Sequence, residues 1–400
     1  GPFSASWPRR TSTFETENIL KKVCVVIGTR PEAIKMAPVV LALRAQPNIF
    51  DVTVCSTGQH TTMLDGALSA FDLKADVELG VMKPGQSLAE LTSRLLVALD
   101  AHYAATQPDL VLVHGDTTSA MVGALAAFYR QIEVGHVEAG LRTGNLLSPF
   151  PEEYNRRSVG LATRHHFAPT STARDNLERE GVKPEHIIVT GNTVIDALVL
   201  TIRTLESRPE ELERLRARLD STVGFNIEVQ PFVLITAHRR ENFGAGIDNI
   251  CFSIHELAKS NPNLHFVYPV HLNPKVKDVV ERKLVDLPNV VLIAPQNYKD
   301  FAWLLRNCLL VLTDSGGIQE EAPALGKPVL VMRDTSERPE AIDAGTAKLV
   351  TTDPKEVIRE TQALISDAVA FELMARAVNP FGDGQAAERI VAYLKGETAS

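Results

Sequence analysis

A glycine-rich turn after an apolar run is the most informative feature of the sequence. The run 309–313 is followed by Ser315, Gly316 and Gly317, and a helical pattern starts directly after them. Adjacent glycines let a ligand approach the backbone, and the free N–H groups of a first helical turn favour an anion. An ordinary strand-to-helix turn remains the alternative. Glu321 could accept hydrogen bonds from both hydroxyls of a ribose, so the motif favours a nucleotide over bare phosphate.

Three carboxylates stand where predicted elements end or begin. Asp116 follows the apolar run 110–113, Glu138 follows 133–137, and Glu152 lies in a first helical turn. Ligands bind outside the carboxyl ends of strands in open α/β sheets, so these groups are acid/base candidates. Asp116 could instead cap a helix, and Glu152 could only complement a helix dipole. Glu138 fits neither alternative, and burial without a partner would raise the pKa of its carboxyl towards the range useful for proton transfer.

A histidine and two cations complete this group of candidates. His238 follows the run 232–236, and its titration near neutrality suits acid/base work opposite the carboxylates, although a lone histidine is usually structural. Arg30 and Lys35 follow the first apolar run and could neutralise a diphosphate. Pairing with the nearby Glu32 is the alternative for both.

Three further side chains could recognise a nucleotide. Gln296 offers an amide for base edges, Phe301 offers a ring for stacking, and Arg338 offers a bidentate contact to hydroxyls or phosphate. Core packing is equally compatible with Phe301, and a surface ion pair is equally compatible with Arg338.

Apolar runs that alternate with helical patterns must position these residues. Near-continuous apolar strands indicate parallel sheets covered on both faces. The sequence therefore predicts an α/β fold of two doubly wound, Rossmann-like domains that face a cleft. The predicted strands are 23–27, 52–56, 110–113, 133–137, 166–168, 187–190, 232–236, 265–268, 290–294, 309–313, 328–332 and a short one near Lys348.

The same alternation predicts the domain boundaries. Residues 22–200 form the first domain, a charged stretch within 201–230 forms the linker region, and 231–380 form the second domain. Residues 381–400 hold a last helix that could pack back onto the first domain. Residues 1–21 are expected to be a disordered extension.

Composition excludes several classes of function. The chain has 400 residues and a formal net charge of −8, which argues against a nucleic-acid partner. It lacks an apolar run long enough for a membrane span. Four scattered cysteines lack metal-ligand spacing and fit a reducing cytoplasm, so no metal is expected. No Gly-x-Gly-x-x-Gly follows a strand, so no bound nicotinamide or flavin cofactor is expected.

Five motifs in order resemble one family. They are 28–38 (GTRPEAIKMAP), 114–118 (HGDTT), 135–143 (GHVEAGLRT), 190–193 (TGNT) and 313–321 (TDSGGIQEE). Together they look like the bacterial, non-hydrolysing UDP-N-acetylglucosamine 2-epimerases, from about Lys22 to Lys395. The resemblance implies a GT-B-type fold, the two-domain architecture shared with many glycosyltransferases.

The resemblance also implies a reaction. The family converts UDP-N-acetylglucosamine to UDP-N-acetylmannosamine by expelling UDP, forming a 2-acetamidoglucal and adding UDP back, which supplies precursor for cell-surface polysaccharide. Asp116, Glu138, Glu152 and His238 match residues implicated in this chemistry. By the same resemblance, the nucleotide and sugar are held by residues in both domains: Arg30, Lys35, Gln296, Phe301, Ser315, Gly316, Gly317, Glu321 and Arg338.

Two regulatory features are implied by resemblance alone. Bacterial members use a second UDP-N-acetylglucosamine as an activator, and Gln59, Gln86 and His271 match that site. A homodimer is also implied. The alternative functions are a GT-B glycosyltransferase with a UDP-sugar donor, a hydrolysing 2-epimerase that releases N-acetylmannosamine, and a nucleotide-sugar sensor, against which the acid/base cluster argues.

Overall fold

The computed structural model describes residues 20–58 and 62–396, and these form two parallel β-sheets. The strands of the first sheet are β1 (Lys21–Ile27), β2 (Phe50–Ser56), β3 (Val77–Glu78), β4 (Leu110–His114), β5 (Glu133–Val137), β6 (His165–Ala168) and β7 (Ile187–Val189). The strands of the second sheet are β8 (Phe232–Thr236), β9 (His265–Pro269), β10 (Val290–Ile293), β11 (Leu310–Thr313), β12 (Val329–Val331) and β13 (Ala347–Leu349).

Helices cover both faces of each sheet. In chain order they are α1 (Arg30–Arg44), α2 (Thr62–Ser69), α3 (Leu88–Thr106), α4 (Thr118–Tyr129), α5 (Glu152–Ala162), α6 (Ser171–Arg179), α7 (Thr193–Glu206), α8 (Pro209–Val223), α9 (Ala245–Ser260), α10 (Pro274–Leu284), α11 (Tyr298–Asn307), α12 (Ile318–Ala324), α13 (Pro339–Asp343), α14 (Pro354–Ser366), α15 (Ala368–Ala375) and α16 (Ala386–Leu394). Two short 3-10 helices lie at Pro184–His186 and Arg240–Asn242. In the described residues no helix is both long and apolar enough to cross a membrane.

Strand β1 shows why the strands are almost entirely apolar. Val23, Val25 and Ile27 point to one face of the sheet and join the core beneath α1, whereas Cys24 and Val26 point to the other face, beneath α3 and α4. Side chains alternate across a strand, so a strand covered on both faces must be apolar at nearly every position. This is the pattern from which the strands were predicted.

The order of the strands creates a switch point in each sheet. The first sheet has the order β3-β2-β1-β4-β5-β6-β7, and the second has the order β10-β9-β8-β11-β12-β13. All strand pairs are parallel. In each sheet the chain first adds strands on one side of the starting strand, β1 or β8. It then crosses over and adds the remaining strands on the other side. Crevices therefore open between the ends of β1 and β4, and between those of β8 and β11, where doubly wound folds bind ligands.

The prediction of two doubly wound domains is confirmed by these sheets. The two-residue edge strand β3 was not predicted, because two residues give no apolar run. Strand β1 starts at Lys21, one residue before the expected boundary, because Lys21 pairs with Phe50 of β2. Residues 1–19 and 397–400 lie outside the described part of the chain.

The stretch 201–230 is largely helical. Helix α7 contributes Ala197 to the core of the first domain and Leu198 and Ile202 to the core of the second. Helix α8 buries an apolar stripe, Leu212, Leu215, Leu219 and Val223, against the second core. These helices therefore join the domains through packed apolar surface.

The last helix packs on the first domain. Ala387, Ile390 and Leu394 of α16 join the core that contains β1 and α1. At its N-terminus the amide of Ala387 donates to Asp196 Oδ1 of α7 at 2.8 Å. The chain thus crosses back from the second domain to the first before it ends.

Replacing Gly140 with Ala is expected to destabilise the first domain strongly. Gly140 has a φ of +90°, and a Cβ there would lie 2.2 Å from the carbonyl oxygen of Ala173 in α6. Gly181 is the matched control, because its φ is +88° and no atom lies within 4 Å of its Cβ position. The left-handed backbone should cost each variant about 1–2 kcal/mol. The clash should cost Gly140→Ala roughly 1–3 kcal/mol more. Thermal melts of both variants test this, and equal melting temperatures would contradict it.

Candidate active site

The two switch points bring together most of the predicted site residues. Arg30 follows β1 and Asp116 follows β4, while His238 follows β8 and Ser315 follows β11. Loop residues at the carboxyl ends of both sheets therefore face the region where the domains meet.

Glu138 lies at the centre of this region with three polar partners. Its Oε2 accepts from Lys35 Nζ at 2.5 Å and from Asn192 Nδ2 at 2.9 Å, and His114 Nε2 is 3.6 Å away. Its side chain is only 9% exposed. The alternative that Lys35 pairs with Glu32 is wrong, because Glu32 accepts instead from the Gly28 amide and the Thr117 hydroxyl.

The pKa of Glu138 is shifted in the direction opposite to the one expected from burial alone. Burial raises the pKa of this carboxyl, but Lys35 and His114 together outweigh burial and hold the pKa well below its ordinary value. The expectation of a raised pKa was wrong because it assumed that Glu138 has no partner. Glu138 is therefore an ionised, hydrogen-bonded carboxylate. Its φ of +65° is unusual for a residue other than glycine, and such backbone strain concentrates at functional sites.

Asp116 is available for chemistry because a neighbour caps the helix. Thr117 is the N-cap of α4, and its hydroxyl accepts from the Ala120 amide at 3.0 Å. The alternative in which Asp116 caps the helix is therefore wrong. The Asp116 carboxylate instead accepts from Arg156 Nη2 of α5 and is 27% exposed. A carboxylate with one cationic partner and an open side can reach a ligand.

The two acidic residues that begin α5 have different environments. Glu153 is completely buried and accepts from the amides of Thr143 and Gly144 and from Arg156 and Arg157. Glu152 is half-buried and has no hydrogen bond or ion pair to the described residues. Glu153 is therefore structural, whereas Glu152 remains free to contact a ligand.

In the second domain, the glycine turn has the features of an anion site. The amide of Ser315 donates to Thr313 Oγ1 at 2.9 Å, and Gly317 caps α12 without a side-chain hydrogen bond. A Cβ on Gly316 would come within 3.3 Å of Glu337 Oε2 and within 3.6 Å of Arg239 Nη2. The turn therefore lies directly against a charged cluster, and Gly316 itself is buried.

His238 is oriented by Asp314, which the sequence analysis did not single out. Asp314 is fully buried, and its Oδ2 accepts from the amides of His238 and Arg239 at 2.9 and 2.8 Å. Its Oδ1 has no hydrogen-bond partner among the described residues and lies 3.8 Å from His238 Nδ1. Burial lowers the pKa of His238, Asp314 opposes this, and His271, which stacks on His238 at 5.3 Å, adds to it. His238 therefore has a fixed position beside the cleft.

Arg338 forms a buried ion pair that also joins the domains. Its Nε donates to Glu320 Oε1, and the other oxygen of Glu320 accepts from Asn192 Nδ2 at 2.6 Å. Because Asn192 also donates to Glu138, one amide connects a carboxylate of each domain. The alternative of a surface ion pair for Arg338 is wrong, because its side chain is only 17% exposed.

Asn192, Arg156 and Glu320 were missed as site residues. Asn192 has the sequence signal of a helix cap, and its Oδ1 does cap α7 by accepting from the Val194 amide at 3.1 Å. The spare amide nitrogen of a capping Asn carries no signal of its own. Arg156 lies four residues after Glu152, so helical spacing in α5 could have indicated that it shares a face with that carboxylate.

The remaining predicted binding residues surround α11 and α12. Glu321 and Arg30 both lie near the ring of Tyr298 in α11. Burial and the charge of Glu321 raise the pKa of the Tyr298 hydroxyl, whereas Arg30 opposes this rise. Gln296 is half-buried and donates from Nε2 to the Ala294 carbonyl at 2.6 Å. Phe301 packs against the core of the second domain.

The three positions of the expected activator site differ in what the structure shows. Gln59 lies outside the described residues. Gln86 is half-buried in the first domain, and its Oε1 accepts from Arg94 Nη1 at 3.1 Å. His271 is exposed in the second domain and lies against His238.

Glu321→Gln is expected to stabilise the protein more at high pH than at low pH. Burial and the neighbouring Glu320 raise the pKa of Glu321 from 4.5 to about 8. Between these values the unfolded chain releases the proton and the folded protein keeps it, so stability falls as pH rises from about 4.5 to about 8. Removing this carboxyl should raise the free energy of unfolding by more than about 1 kcal/mol at pH 8, and by much less at pH 5.

Melting temperatures of wild type and Glu321→Gln at both pH values test this expectation. Glu388→Gln, at an exposed position of α16, is the control. An equal gain at both pH values would contradict the assigned cause.

The fold and the site together define a class of protein. The protein has two Rossmann-like domains in a GT-B-type arrangement. Carboxylates lie at the carboxyl ends of strands in the first sheet, and a histidine and a glycine-rich turn lie at those of the second. This is the class of enzymes that act on a nucleotide-linked sugar at the interface of two domains.

Comparisons with known proteins identify the family within this class. Residues 41–395 match the family described as UDP-N-acetylglucosamine 2-epimerase. The chain is 52% identical over 380 residues to a UDP-N-acetylglucosamine 2-epimerase of Salmonella typhimurium, which covers 95% of this chain and 100% of that protein. The chain belongs to the UDP-N-acetylglucosamine 2-epimerase family and is an epimerase.

Solved structures agree with this assignment. A UDP-GlcNAc 2-epimerase from Neisseria meningitidis, bound to UDP-GlcNAc, has a TM-score of 0.85 and 49% identity, covering 94% of this chain and 100% of that one. A UDP-GlcNAc 2-epimerase from Methanocaldococcus jannaschii, in complex with UDP-GlcNAc and UDP, has a TM-score of 0.77 and 32% identity, covering 94% and 99%.

Proposed function

We propose that this protein interconverts UDP-N-acetylglucosamine and UDP-N-acetylmannosamine without net hydrolysis. One observation carries the proposal: the acid/base side chains of the first domain are joined through Asn192 to Glu320, which follows the anion turn of the second, because Asn192 donates to both Glu138 and Glu320. In the proposal the sugar of the substrate lies at the first of these groups and its diphosphate at the turn. The product would supply precursor for cell-surface polysaccharide.

The reaction begins with departure of UDP in this proposal. The hydrogen on C2 is not next to a carbonyl, so direct removal of that proton would be slow. When the bond between C1 and the UDP oxygen breaks, positive charge at C1 acidifies the C2 hydrogen. A base takes that proton, and a 2-acetamidoglucal and UDP remain. Return of a proton to the opposite face, and of UDP to C1, completes the inversion.

The second domain and α1 would stabilise the departing diphosphate. The turn 315–317, directly after β11, would receive the diphosphate, and Arg30 and Lys35 would add positive charge from the first domain. Donors fixed before the reaction stabilise developing charge without reorganisation. Gln296 and Phe301 are assigned to uracil, Glu321 to the ribose, and Arg338 to the sugar or phosphate.

The proton transfers are assigned to Asp116, Glu138, Glu152 and His238. Glu138 lies among Lys35, His114 and Asn192 and is ionised, as a base must be before it accepts a proton. Asp116 and Glu152 of the first domain are partly exposed, and His238 of the second domain is held by Asp314 of the same domain. Inversion at C2 needs groups on both faces of the sugar, which residues from two domains can supply.

Incubation with UDP-N-acetylglucosamine alone in deuterated water tests the proposal. Appearance of the manno epimer with deuterium at C2 would support reversible elimination. Release of free N-acetylmannosamine would indicate the hydrolysing reaction instead. No change without an added acceptor would favour a glycosyltransferase, although no feature of the described site favours that function over epimerisation.

We also propose that a second UDP-N-acetylglucosamine activates the enzyme at a site that includes Gln59, Gln86 and His271. The stacking of His271 on His238 gives such a site a direct contact with the acid/base machinery. The expected result is a sigmoidal dependence of rate on UDP-N-acetylglucosamine that becomes hyperbolic in His271→Ala. Gln86→Ala, in the other domain, should weaken the sigmoidal response without disturbing His238. Hyperbolic kinetics of the wild type would refute activation.

A homodimer is proposed with support from exposed apolar side chains. Phe128 and Tyr129 at the end of α4, and Tyr154 and Leu161 on α5, are 48–90% exposed. Helices α4 and α5 pack on each other, so these side chains share one region of the surface. The mass in solution from light scattering tests this, and a monomer at micromolar concentration would refute it.

A further inference from the structure

Two cysteines and a histidine meet on the first sheet, beneath α3. Cys24 lies in β1, Cys55 lies in β2, and His102 lies in the second half of α3. The Sγ of Cys24 is 3.8 Å from Nε2 of His102, and one ligand atom from each of the three side chains lies within 4.8 Å of the others. None of these residues has a part in the proposed epimerisation. Their separation along the chain hid the cluster from the sequence analysis, which expected no metal.

We propose that Cys24, Cys55 and His102 bind a thiophilic d10 metal cation, either Zn²⁺ or Cu⁺. Zinc binds sulfur at about 2.3 Å and imidazole nitrogen at about 2.0–2.1 Å. With tetrahedral or trigonal angles, these bond lengths place sulfur and nitrogen about 3.5–3.8 Å apart. The observed 3.8 Å between Cys24 and His102 is at the upper end of that range. A metal ion would therefore fit between these two atoms with little movement of β1 or α3.

The chemistry of the three ligands suits this class of metal. Thiolate and imidazole ligands select zinc and monovalent copper over the hard cations Mg²⁺ and Ca²⁺. Burial lowers the pKa of His102, which keeps its imidazole neutral and able to coordinate. The contact with Cys55 and burial raise the pKa of Cys24, so the free cluster holds thiols that a metal must deprotonate. Binding should therefore release protons and strengthen as pH rises.

The three candidate ligands differ in burial. Cys24 and Cys55 are 2% and 0% exposed within an apolar cluster that includes Leu95, Leu99 and Tyr103. His102 is only half-buried, so an ion would enter past its imidazole. Cu⁺ could be held by the three protein ligands alone, whereas Zn²⁺ would take a water from the same side as its fourth ligand.

Binding would fasten α3 to two neighbouring strands of the sheet, β1 and β2. A metal that binds the folded but not the unfolded protein raises the melting temperature. The expected consequence is therefore greater stability of the first domain, with the acid/base residues at the carboxyl ends of the strands left in place.

Titration of the metal-free full-length protein with Zn²⁺, and separately with Cu⁺ under anaerobic conditions, tests this site. One equivalent of at least one of these ions should bind and raise the melting temperature. Binding should weaken roughly 100-fold or more in Cys24→Ser and His102→Ala, since even loss of outer-shell partners costs 10- to 100-fold. Cys251→Ser is the control, because Cys251 is also buried but lies in α9 of the second domain.

A Co²⁺ spectrum supplies a readout that a merely structural role of these residues would not change. Wild type and Cys251→Ser should show a sulfur-to-cobalt charge-transfer band that His102→Ala alters and Cys24→Ser loses. His102 is half-buried, so its replacement should leave the apolar core intact. The His102→Ala variant therefore keeps the test usable if Cys24→Ser fails to fold. Absence of saturable binding for both Zn²⁺ and Cu⁺, or equal binding in His102→Ala and wild type, would overturn the proposal.

Discussion

Replacing Glu138 with Gln is expected to lower kcat by roughly 10²- to 10⁴-fold, the contribution typical of a positioned general acid or base. Lys35 and His114 keep Glu138 ionised in the wild type, and an amide cannot accept the C2 proton. Binding of UDP should change little, because the anion turn belongs to the second domain. Loss of turnover with retained UDP affinity would mark an interaction made in the transition state.

The measurement pairs turnover with UDP binding by calorimetry and with exchange of deuterium into C2. Glu133→Gln is the matched control, because Glu133 starts the same strand that Glu138 follows and pairs with Arg164 and His165 at the opposite end. A rate for Glu138→Gln within a few-fold of wild type would remove Glu138 from the mechanism. Parallel loss of UDP binding would point instead to collapse of the site.

Asp116→Asn should likewise reduce kcat by roughly 10²- to 10⁴-fold with UDP binding retained. The Asp116 carboxylate has one cationic partner, Arg156, and an open side towards the cleft. In the variant Arg156 keeps its contact to Glu153 at 3.2 Å, so α5 should stay in position. The substitution therefore removes the charge and the basicity of the side chain but keeps its size and shape.

Asp100→Asn separates this effect from the general loss of an arginine partner. Asp100 receives two hydrogen bonds from Arg130 on the surface, at 2.6 and 2.7 Å, outside the candidate site. Its replacement should leave kcat unchanged and shift the melting temperature little, as is typical of exposed pairs. Equal activities of the Asp100 and Asp116 variants would refute a chemical role for Asp116.

The fold could be predicted because its strands are buried on both faces. Runs such as 23–27 and 232–236 are apolar at nearly every position, and a parallel sheet covered on both faces requires that pattern. The two residues of β3 carry no such pattern, and its existence depends on the neighbouring β2. Helix α8 was less visible, because its buried leucines alternate with charged residues on the exposed face.

The candidate site could be predicted in position but not in electrostatics. The rule that ligands bind at the carboxyl ends of strands was enough to select Asp116, Glu138 and His238. The pKa of Glu138 was expected in the wrong direction, because Lys35 is 103 residues away in the chain and its proximity depends on the fold. Asp314 was missed for the same reason, because its contacts with the amides of His238 and Arg239 in the loop after β8 exist only in the folded chain.

The amide of Asn192 donates to carboxylates that belong to different domains, Glu138 at 2.9 Å and Glu320 at 2.6 Å. Asn192 and Glu138 both belong to the first domain, so moving the domains apart must break the hydrogen bond to Glu320. Lys35 and His114, which hold down the pKa of Glu138, belong to the first domain as well and move with it. Opening the gap therefore separates the sheets while leaving these charges around Glu138 in place.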